Sequence, residues 1–314
     1  HKEYRRQRQM CIRDRSETAS RPAVAGGALR PAVILGGNRI PFARANTAYA
    51  EVGNQEMLKA TLDGLVARFG LQGERLGQVT AGAVLKHPRN FNLTREAVLG
   101  SALSAATPAA DVQVACATGM EALGTLANKI RLGQLDSAIG GGVDSISDAP
   151  VSLSDGARRV LLQLNTAKTT KDRLRALAQL RPGQLVPEPA GAGEPRTGMS
   201  MGEHQALTTH KWGITRQAQD ELAAASHRNL GAAYAAGYMD DLVTPFHGLA
   251  RDNNLRPDST PEKLAGLKPA FGRQLGDEAT MTAANSTPLT DGASAVLLSS
   301  EEWAAERGLP AVSY

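Results

Sequence analysis

Aromatic residues are scarce in this chain: two tryptophans, five tyrosines and five phenylalanines occur among 314 residues. Proteins that bind single-stranded nucleic acids commonly stack the bases on aromatic rings, so we predict no nucleic-acid partner. Apolar runs are short as well, and none approaches the roughly 20 residues of a membrane-spanning helix. The two cysteines, Cys11 and Cys116, are too few for a disulfide framework. We therefore expect a cytoplasmic protein without a transmembrane segment.

The net charge of +4 is unevenly distributed, since much of the excess lysine and arginine lies in the first 21 residues. Such a basic arm could bind nucleic acid or a membrane surface, or act as a targeting peptide. Glu3, Asp14 and Glu17 argue against an organellar transit peptide, and the stretch lacks the apolar core of a secretory signal. We predict that residues 1–30 form a disordered or non-native basic tail.

From residue 31 onward, short apolar segments alternate with segments of helical periodicity. This alternation predicts an α/β fold in which helices cover the faces of a mixed or parallel sheet. Gly36–Gly37–Asn38 is expected to turn the chain after the first strand. The run Gly140–Gly142 could bind a phosphate, but no Lys-Ser/Thr pair follows it, and close packing against a helix is the plainer interpretation. The predicted strands are 32–35, 78–85, 112–115, 136–139, 278–284 and 293–298; the predicted helices are 55–69, 92–102, 117–132, 215–236, 301–307 and one that ends at residue 212.

Cys116 follows the apolar run Val112, Val114 and Ala115 and precedes a helical pattern. This order predicts a thiol at a helix N-terminus, where free N–H groups and the helix dipole favour an anion. A cysteine in that position is biased toward the nucleophilic thiolate, and the same N–H groups can receive an oxyanion. A buried, inert structural thiol is the alternative, and position alone leaves both open.

Several segments carry a resemblance to one family. VACATGMEAL and IGGGVDSISDAPV resemble the N-terminal half of a thiolase, in the branch of the β-subunits of fatty-acid oxidation complexes. Four further segments occur in family order: GGNRIPFARANTAYAEVG (36–53), GAVLKHPRNFNLTREAVL (82–99), ANKIRLGQLDSAIGGGVDS (127–145) and TAANSTPLTDGASAVLL (282–298). The resemblance implies a thiolase-like layered fold, of which this chain holds the first half of a duplicated fold plus a loop domain.

The resemblance also implies domain boundaries and site residues. It places an N-terminal thiolase domain at 31–151 and 266–300, a coenzyme A-binding loop domain at 152–265, and the start of a further domain at 301–314. Cys116 would carry the acyl group, and Met201, Ser286 and Thr287 would contact the acyl chain or coenzyme A. Ser200 stands where short-chain members have histidine, which argues against a short-chain preference, and the resemblance to the oxidation-complex branch implies medium or long chains.

The implied activity is acyl transfer in fatty-acid β-oxidation: thiolytic cleavage of a 3-ketoacyl-CoA into acetyl-CoA and a shortened acyl-CoA. Coenzyme A is then a substrate, and neither a separate cofactor nor a metal is expected. His204, His210 and His227 lack the spacing of metal ligands on one face. The implied partners are a second copy of the chain and a hydratase/dehydrogenase α-subunit.

Two rival functions remain at this stage. A β-ketoacyl synthase-like condensing enzyme shares the fold and the cysteine, although the long segment from 152 to about 265 favours a thiolase. A truncated subunit that only binds coenzyme A or dimerises is the second, because the family's second half, with its base and oxyanion-hole motifs, is absent from the sequence. We therefore expect a fragment of a longer product that folds but turns over poorly.

Overall fold

A computed structural model describes residues 29–189, 191 and 193–313. Residues 1–28 of the predicted tail, including Cys11, lie outside this described part. Arg30 is attached to the folded part, because its guanidinium lies 3.0 Å from the carboxylate of Asp136 and donates to the carbonyl of Leu135.

A mixed sheet forms the centre of the molecule, in the order β1-β8-β5-β3-β4, with β2 also paired to β8. β8 is antiparallel to both β1 and β5, whereas β3 is parallel to β5 and β4. The predicted α/β fold with a mixed sheet is thus confirmed. The strands are β1 (Ala32–Arg39), β2 (Ala43–Arg44), β3 (Gln78–Ala81), β4 (Ala109–Asp111), β5 (Ser137–Asp144), β6 (Val151–Ser152), β7 (Glu188–Pro189) and β8 (Thr290–Ser300).

Helices cover both faces of this sheet. Successive strand residues point to opposite faces, so Ile139 packs in the large core with the first helix, while Ala138 packs with Leu126 and Ile130 of the third. The helices are α1 (Asn54–Phe69), α2 (Leu93–Gly100), α3 (Thr118–Arg131), α4 (Asp155–Thr166), α5 (Thr170–Leu177), α6 (Met201–Lys211), α7 (Arg216–Ala235), α8 (Pro261–Ala265) and α9 (Glu301–Glu306). Among the described residues, no helix has both the length and the apolar composition needed to cross a membrane.

Between β5 and β8 the chain leaves the sheet and forms α4 to α8 and the small β6–β7 pair. This excursion returns to β1 through backbone hydrogen bonds from Arg39 to Leu242 (2.9 Å) and from Thr244 to Arg39 (2.9 Å). The division of the chain into a thiolase domain and a loop domain stays a prediction.

Several predicted elements are wrong. The expected turn at Gly36–Gly37–Asn38 is absent, because β1 continues through it, with a register irregularity between Ile34 and Gly36. β5 likewise includes Gly140–Gly142, since pairing with β8 extends to Asp144. Residues 278–284 form no strand in the structure; Thr282 makes a single bridge to Pro269.

The first backbone N–H groups of α2 also find a different hydrogen-bond acceptor from the one predicted. Asn92 precedes the helix, but its side chain makes no capping hydrogen bond. Instead, the carboxylate of Asp111 accepts the N–H groups of Leu93 (3.1 Å) and Thr94 (2.8 Å). An acceptor distant in sequence thus replaces the local cap.

Candidate active site

Cys116 lies in a tight turn between β4 and α3. The predicted strand over 112–115 is wrong: β4 ends at Asp111, and residues 112–117 turn toward the helix. Ala115 has φ 44°, a left-handed conformation that is costly for a residue with a Cβ. Thr118 stabilises it, since its Oγ1 accepts the N–H of Val114 (2.9 Å) and donates to the carbonyl of Ala115 (2.7 Å).

The thiol of Cys116 is exposed, which contradicts the alternative of a buried structural cysteine. It lies two residues before the first residue of α3. The N–H groups of Gly119 and Met120, in the first helical turn, have no acceptor among the described residues. Such free donors next to a nucleophile can stabilise the negative charge that develops on an attacked carbonyl oxygen.

Glycines bring α3 close to the ends of β3 and β5. A Cβ at Gly82 would lie 1.8 Å from the carbonyl oxygen of Val112 and 2.9 Å from Cγ2 of Thr118. A Cβ at Gly140 would lie 2.6 Å from the side chain of Leu123 in α3. Close packing against a helix is therefore the role of this glycine, as the sequence predicted.

A cavity of about 320 Å³ opens beside the thiol. Its walls come from the ends of β3, β5 and β8, from the Cys116 turn and from the segment that connects β1 to β2. Small residues form most of it, including Gly82, Gly142, Gly292 and Ala293. Phe42 contributes the one aromatic ring among the described lining residues. A small electrophilic group could therefore enter the cavity and reach the sulfur.

Asp144 is the second ionisable side chain among the residues that line this cavity. Burial raises the pKa of its carboxyl, although the carboxylate accepts the N–H groups of Leu85 (2.8 Å) and Val84 (3.0 Å). Because both oxygens are engaged by backbone donors, the residue fixes the wall formed by 84–85. The sequence did not indicate Asp144 or Phe42 as site residues, because each reaches the cavity through distant segments. Thr118 makes only local contacts, and its role was missed because residues 112–115 were predicted to form a strand and not a turn.

The other predicted site residues do not line the Cys116 cavity. Met201 is the first residue of α6 and is 60% exposed. Ser286 donates from Oγ to the carbonyl of Thr282 (2.6 Å), and Thr287 is exposed beside it. Phe271 links the two regions, because it packs against Gly202 and its N–H donates to the carbonyl of Met281. Their predicted contacts with an acyl chain or coenzyme A remain predictions.

A second concavity of about 350 Å³ lies between α4 and α5, and we call it the α4–α5 groove. Lys168 and Arg175 line it together with Asp172 and the amide side chains of Gln163 and Gln179. Two cations with neighbouring amide donors suit an anionic ligand such as a phosphate.

The histidines suggested by the sequence do not converge on one point. His204 lies 3.6 Å from Glu194, His210 lies 3.3 Å from Glu278, and His227 accepts a backbone N–H from Arg256. Among the residues that the structure describes, no three histidine, cysteine or carboxylate side chains form a potential metal site.

Known proteins are similar to this chain in both sequence and fold. The family model described as "Thiolase, N-terminal domain" matches residues 32–302. The chain is 39% identical over 288 residues to a 3-ketoacyl-CoA thiolase of Yersinia pestis (strain Pestoides F) and to one of Yersinia pseudotuberculosis serotype O:1b (strain IP 31758). These matches cover 90% of this chain and 65% of each relative, so the chain spans slightly less than two thirds of their length.

A solved structure gives an independent comparison. The crystal structure of the Bacillus anthracis acetyl-CoA acetyltransferase superposes with a TM-score of 0.73 at 28% identity, over 90% of this chain and 69% of that one. The family model covers most of the chain, and the sequence relatives and the fold agree with it. The chain therefore belongs to the thiolase family.

Proposed function

We propose that this chain supplies the nucleophile of a 3-ketoacyl-CoA thiolase, with Cys116 as the residue that carries the acyl group. The observation that carries the proposal is the exposed thiol on a strained turn, beside a cavity and next to the free N–H groups of α3. The two relatives named 3-ketoacyl-CoA thiolase support the same chemistry.

In the first half-reaction, the thiolate of Cys116 attacks the C3 carbonyl of a 3-ketoacyl-CoA. The carbonyl oxygen becomes an oxyanion, which free N–H groups at the start of α3, such as those of Gly119 and Met120, can stabilise. Collapse breaks the C2–C3 bond, and the electron pair leaves on C2 as the enolate of acetyl-CoA, which takes a proton. The shortened acyl group remains as a thioester on Sγ.

In the second half-reaction, the thiolate of coenzyme A attacks this thioester. The bond between the acyl carbon and Sγ breaks, the shortened acyl-CoA leaves, and the Cys116 thiol is regenerated by a proton. The covalent intermediate divides one difficult carbon–carbon cleavage into two easier steps.

Coenzyme A contacts belong to this proposal. The α4–α5 groove offers cations for phosphate groups, and the hydroxyls of Ser286 and Thr287 can donate or accept at amides of the pantetheine arm. Met201, exposed at the start of α6, would contact the acyl or pantetheine chain. The proposed protein is a cytoplasmic homodimer. It associates with a hydratase/dehydrogenase α-subunit and acts in fatty-acid β-oxidation.

A single-turnover experiment separates this proposal from its rivals. The full chain is mixed with a stoichiometric amount of a 3-ketoacyl-CoA, without free coenzyme A, and released acetyl-CoA is quantified. We expect acetyl-CoA in an amount limited by the protein, and none from Cys116→Ala. In a parallel incubation with an acyl-CoA and malonyl-CoA, a condensation product would favour a β-ketoacyl synthase. In a separate binding assay, binding of coenzyme A by a chain that releases no acetyl-CoA would favour a non-catalytic subunit.

A further inference from the structure

We infer that Phe42 determines the size of the group that Cys116 accepts, an inference that rests on the proposed acyl transfer. Phe42 lines the Cys116 cavity, and half of the other twelve lining residues are glycine or alanine. Phe42 has the largest side chain among the lining residues, so in a close-packed protein its bulk limits the space beside the sulfur more than any other lining side chain does.

The ring is held between two fixed groups. The guanidinium of Arg39 lies 4.7 Å from the ring centroid, within the range of a cation–π contact. On β8, a Cβ added to Gly292 would lie 2.3 Å from Cδ1 of Phe42, so the ring occupies the space that any other residue at 292 would need. Confined in this way, the ring cannot readily move aside for a larger group.

The backbone that carries the ring is held as firmly. The N–H of Phe42 donates to Oδ1 of Asp252 (2.7 Å), and the N–H of Asn253 donates to the carbonyl of Phe42 (3.3 Å). Asp252 is buried, and its two carboxylate oxygens also accept hydrogen bonds from the two terminal guanidinium nitrogens of Arg39, at 2.6 and 2.8 Å. In a hydrophobic pocket, one methylene more or less on the substrate changes the reaction rate by about 10- to 200-fold.

Two series of reagents test the size limit on the full chain, with Cys116 followed by peptide-resolved mass spectrometry. The first compares N-methylmaleimide with N-benzylmaleimide. In both, the Cys116 thiolate adds to the double bond of the maleimide ring, and no acyl group is transferred. The second compares acetyl-CoA with octanoyl-CoA, in which the thiolate of Cys116 displaces that of coenzyme A. In each series the small-to-large rate ratio is the measured quantity, so a general change in thiol reactivity cancels.

We expect Phe42→Ala to lower this ratio by about ten-fold relative to the wild type, and Phe42→Trp to raise it. Phe91→Ala is the matched control, because Phe91 is 80% exposed and does not line the cavity, and it should leave the ratio unchanged. Phe42→Leu keeps an apolar side chain of intermediate size. If circular dichroism shows that the alanine variant is unfolded, the rate ratios of Phe42→Leu and Phe42→Trp are used to test the inference instead.

Maleimide ratios that stay within two-fold of the wild type in the folded Phe42 variants would overturn the inference. Maleimide ratios that shift as expected while neither acyl-CoA modifies Cys116 would support the steric role of Phe42 and contradict the proposed acyl transfer.

Discussion

Gly82 connects the sheet to the turn that presents Cys116. It follows β3 directly, and its α-carbon faces the carbonyl of Val112 at a separation that leaves no room for a side chain. The same turn holds Ala115 in a left-handed conformation, which Thr118 stabilises with two hydrogen bonds. The position of the Cys116 thiol therefore depends on the close contact at Gly82 and on the left-handed conformation of Ala115.

Replacing Gly82 with alanine tests this dependence. The new Cβ would lie 1.8 Å from the Val112 oxygen, so the turn must shift. Overpacking of this kind costs about 1–3 kcal/mol, and we expect urea unfolding to show a loss in that range together with slower alkylation of Cys116 by iodoacetamide.

Gly124→Ala is the control for that variant. Gly124 lies in α3 with nothing within 4 Å of the added Cβ, so alanine should be neutral or stabilise by up to about 1 kcal/mol. Unchanged stability and alkylation in Gly82→Ala would show that the close contact does not position the thiol.

Among the secondary-structure elements, β4 ends at Asp111, whose carboxylate connects this strand to the start of α2 and to Lys86. Asp111 accepts the first N–H groups of α2 and lies 2.7 Å from Nζ of Lys86. Burial alone would raise the pKa of this carboxyl, but the hydrogen bonds from Lys86 and Thr94 outweigh it and hold the pKa below its ordinary value. The ionised form is thus favoured in the folded state.

Asp111→Asn should destabilise the protein in a pH-dependent way. The side-chain amide of asparagine has one oxygen instead of two to accept hydrogen bonds from Lys86, Leu93 and Thr94. A buried donor left without an acceptor costs about 1–3 kcal/mol of stability at pH 7. A lowered folded-state pKa contributes stability above the ordinary value of 3.8, and this contribution is lost as the pH falls through the folded-state pKa. The difference in melting temperature from the wild type should therefore shrink below about pH 4.

Asn92→Ala supplies the comparison for that experiment, because Asn92 holds the cap position of α2 without making a capping bond. We expect a change of at most about 0.5 kcal/mol. A large loss of stability in Asn92→Ala, with none in Asp111→Asn, would mean that Asn92 caps α2, as predicted from the sequence, and that Asp111 does not.

These two residues also show how far the sequence could predict the fold. The long periodic helices, such as α1 and α3, the mixed sheet and the thiol before α3 could all be predicted, since periodicity and order along the chain determine them. The cap of α2 could not be, because its acceptor lies 18 residues away from Leu93. The extension of β1 and β5 through glycines was missed for a related reason: pairing with β8 supplies the hydrogen bonds that local propensity does not.

Of the candidate site, the sequence predicted the place of the Cys116 thiol before α3 and little else. Cys116 is marked by its position before a helical pattern, whereas Phe42 and Asp144 reach the cavity only because β1, β5 and β8 lie side by side. No local pattern distinguishes Phe42 from the other four phenylalanines.

At the scale of the whole molecule, Arg39 and Asp252 connect the sheet to the long excursion between β5 and β8. Their side chains are 15% and 3% exposed, and Tyr234 of α7 contacts both residues through its hydroxyl. Breaking a buried pair by removing one partner costs about 3–5 kcal/mol, because the remaining charge stays buried.

Asp252→Ala should therefore lower the free energy of unfolding by about that amount, measured by urea titration. The exposed pair of Arg68 and Asp241 is the control, since Asp241 is 67% exposed and Asp241→Ala should change stability by at most about 0.5 kcal/mol. Equal effects of the two variants would mean that the Arg39–Asp252 pair does not hold the excursion to the sheet.

Trapping the acyl intermediate tests whether Cys116 carries the acyl group, as proposed. The full chain is incubated with an excess of a 3-ketoacyl-CoA, quenched in acid, digested and analysed by mass spectrometry for a thioester that hydroxylamine removes. We predict the shortened acyl group on the peptide that contains Cys116, and its absence from the Cys11 peptide and from Cys116→Ala. An unmodified Cys116 peptide, or equal modification of Cys11 and Cys116, would contradict the account.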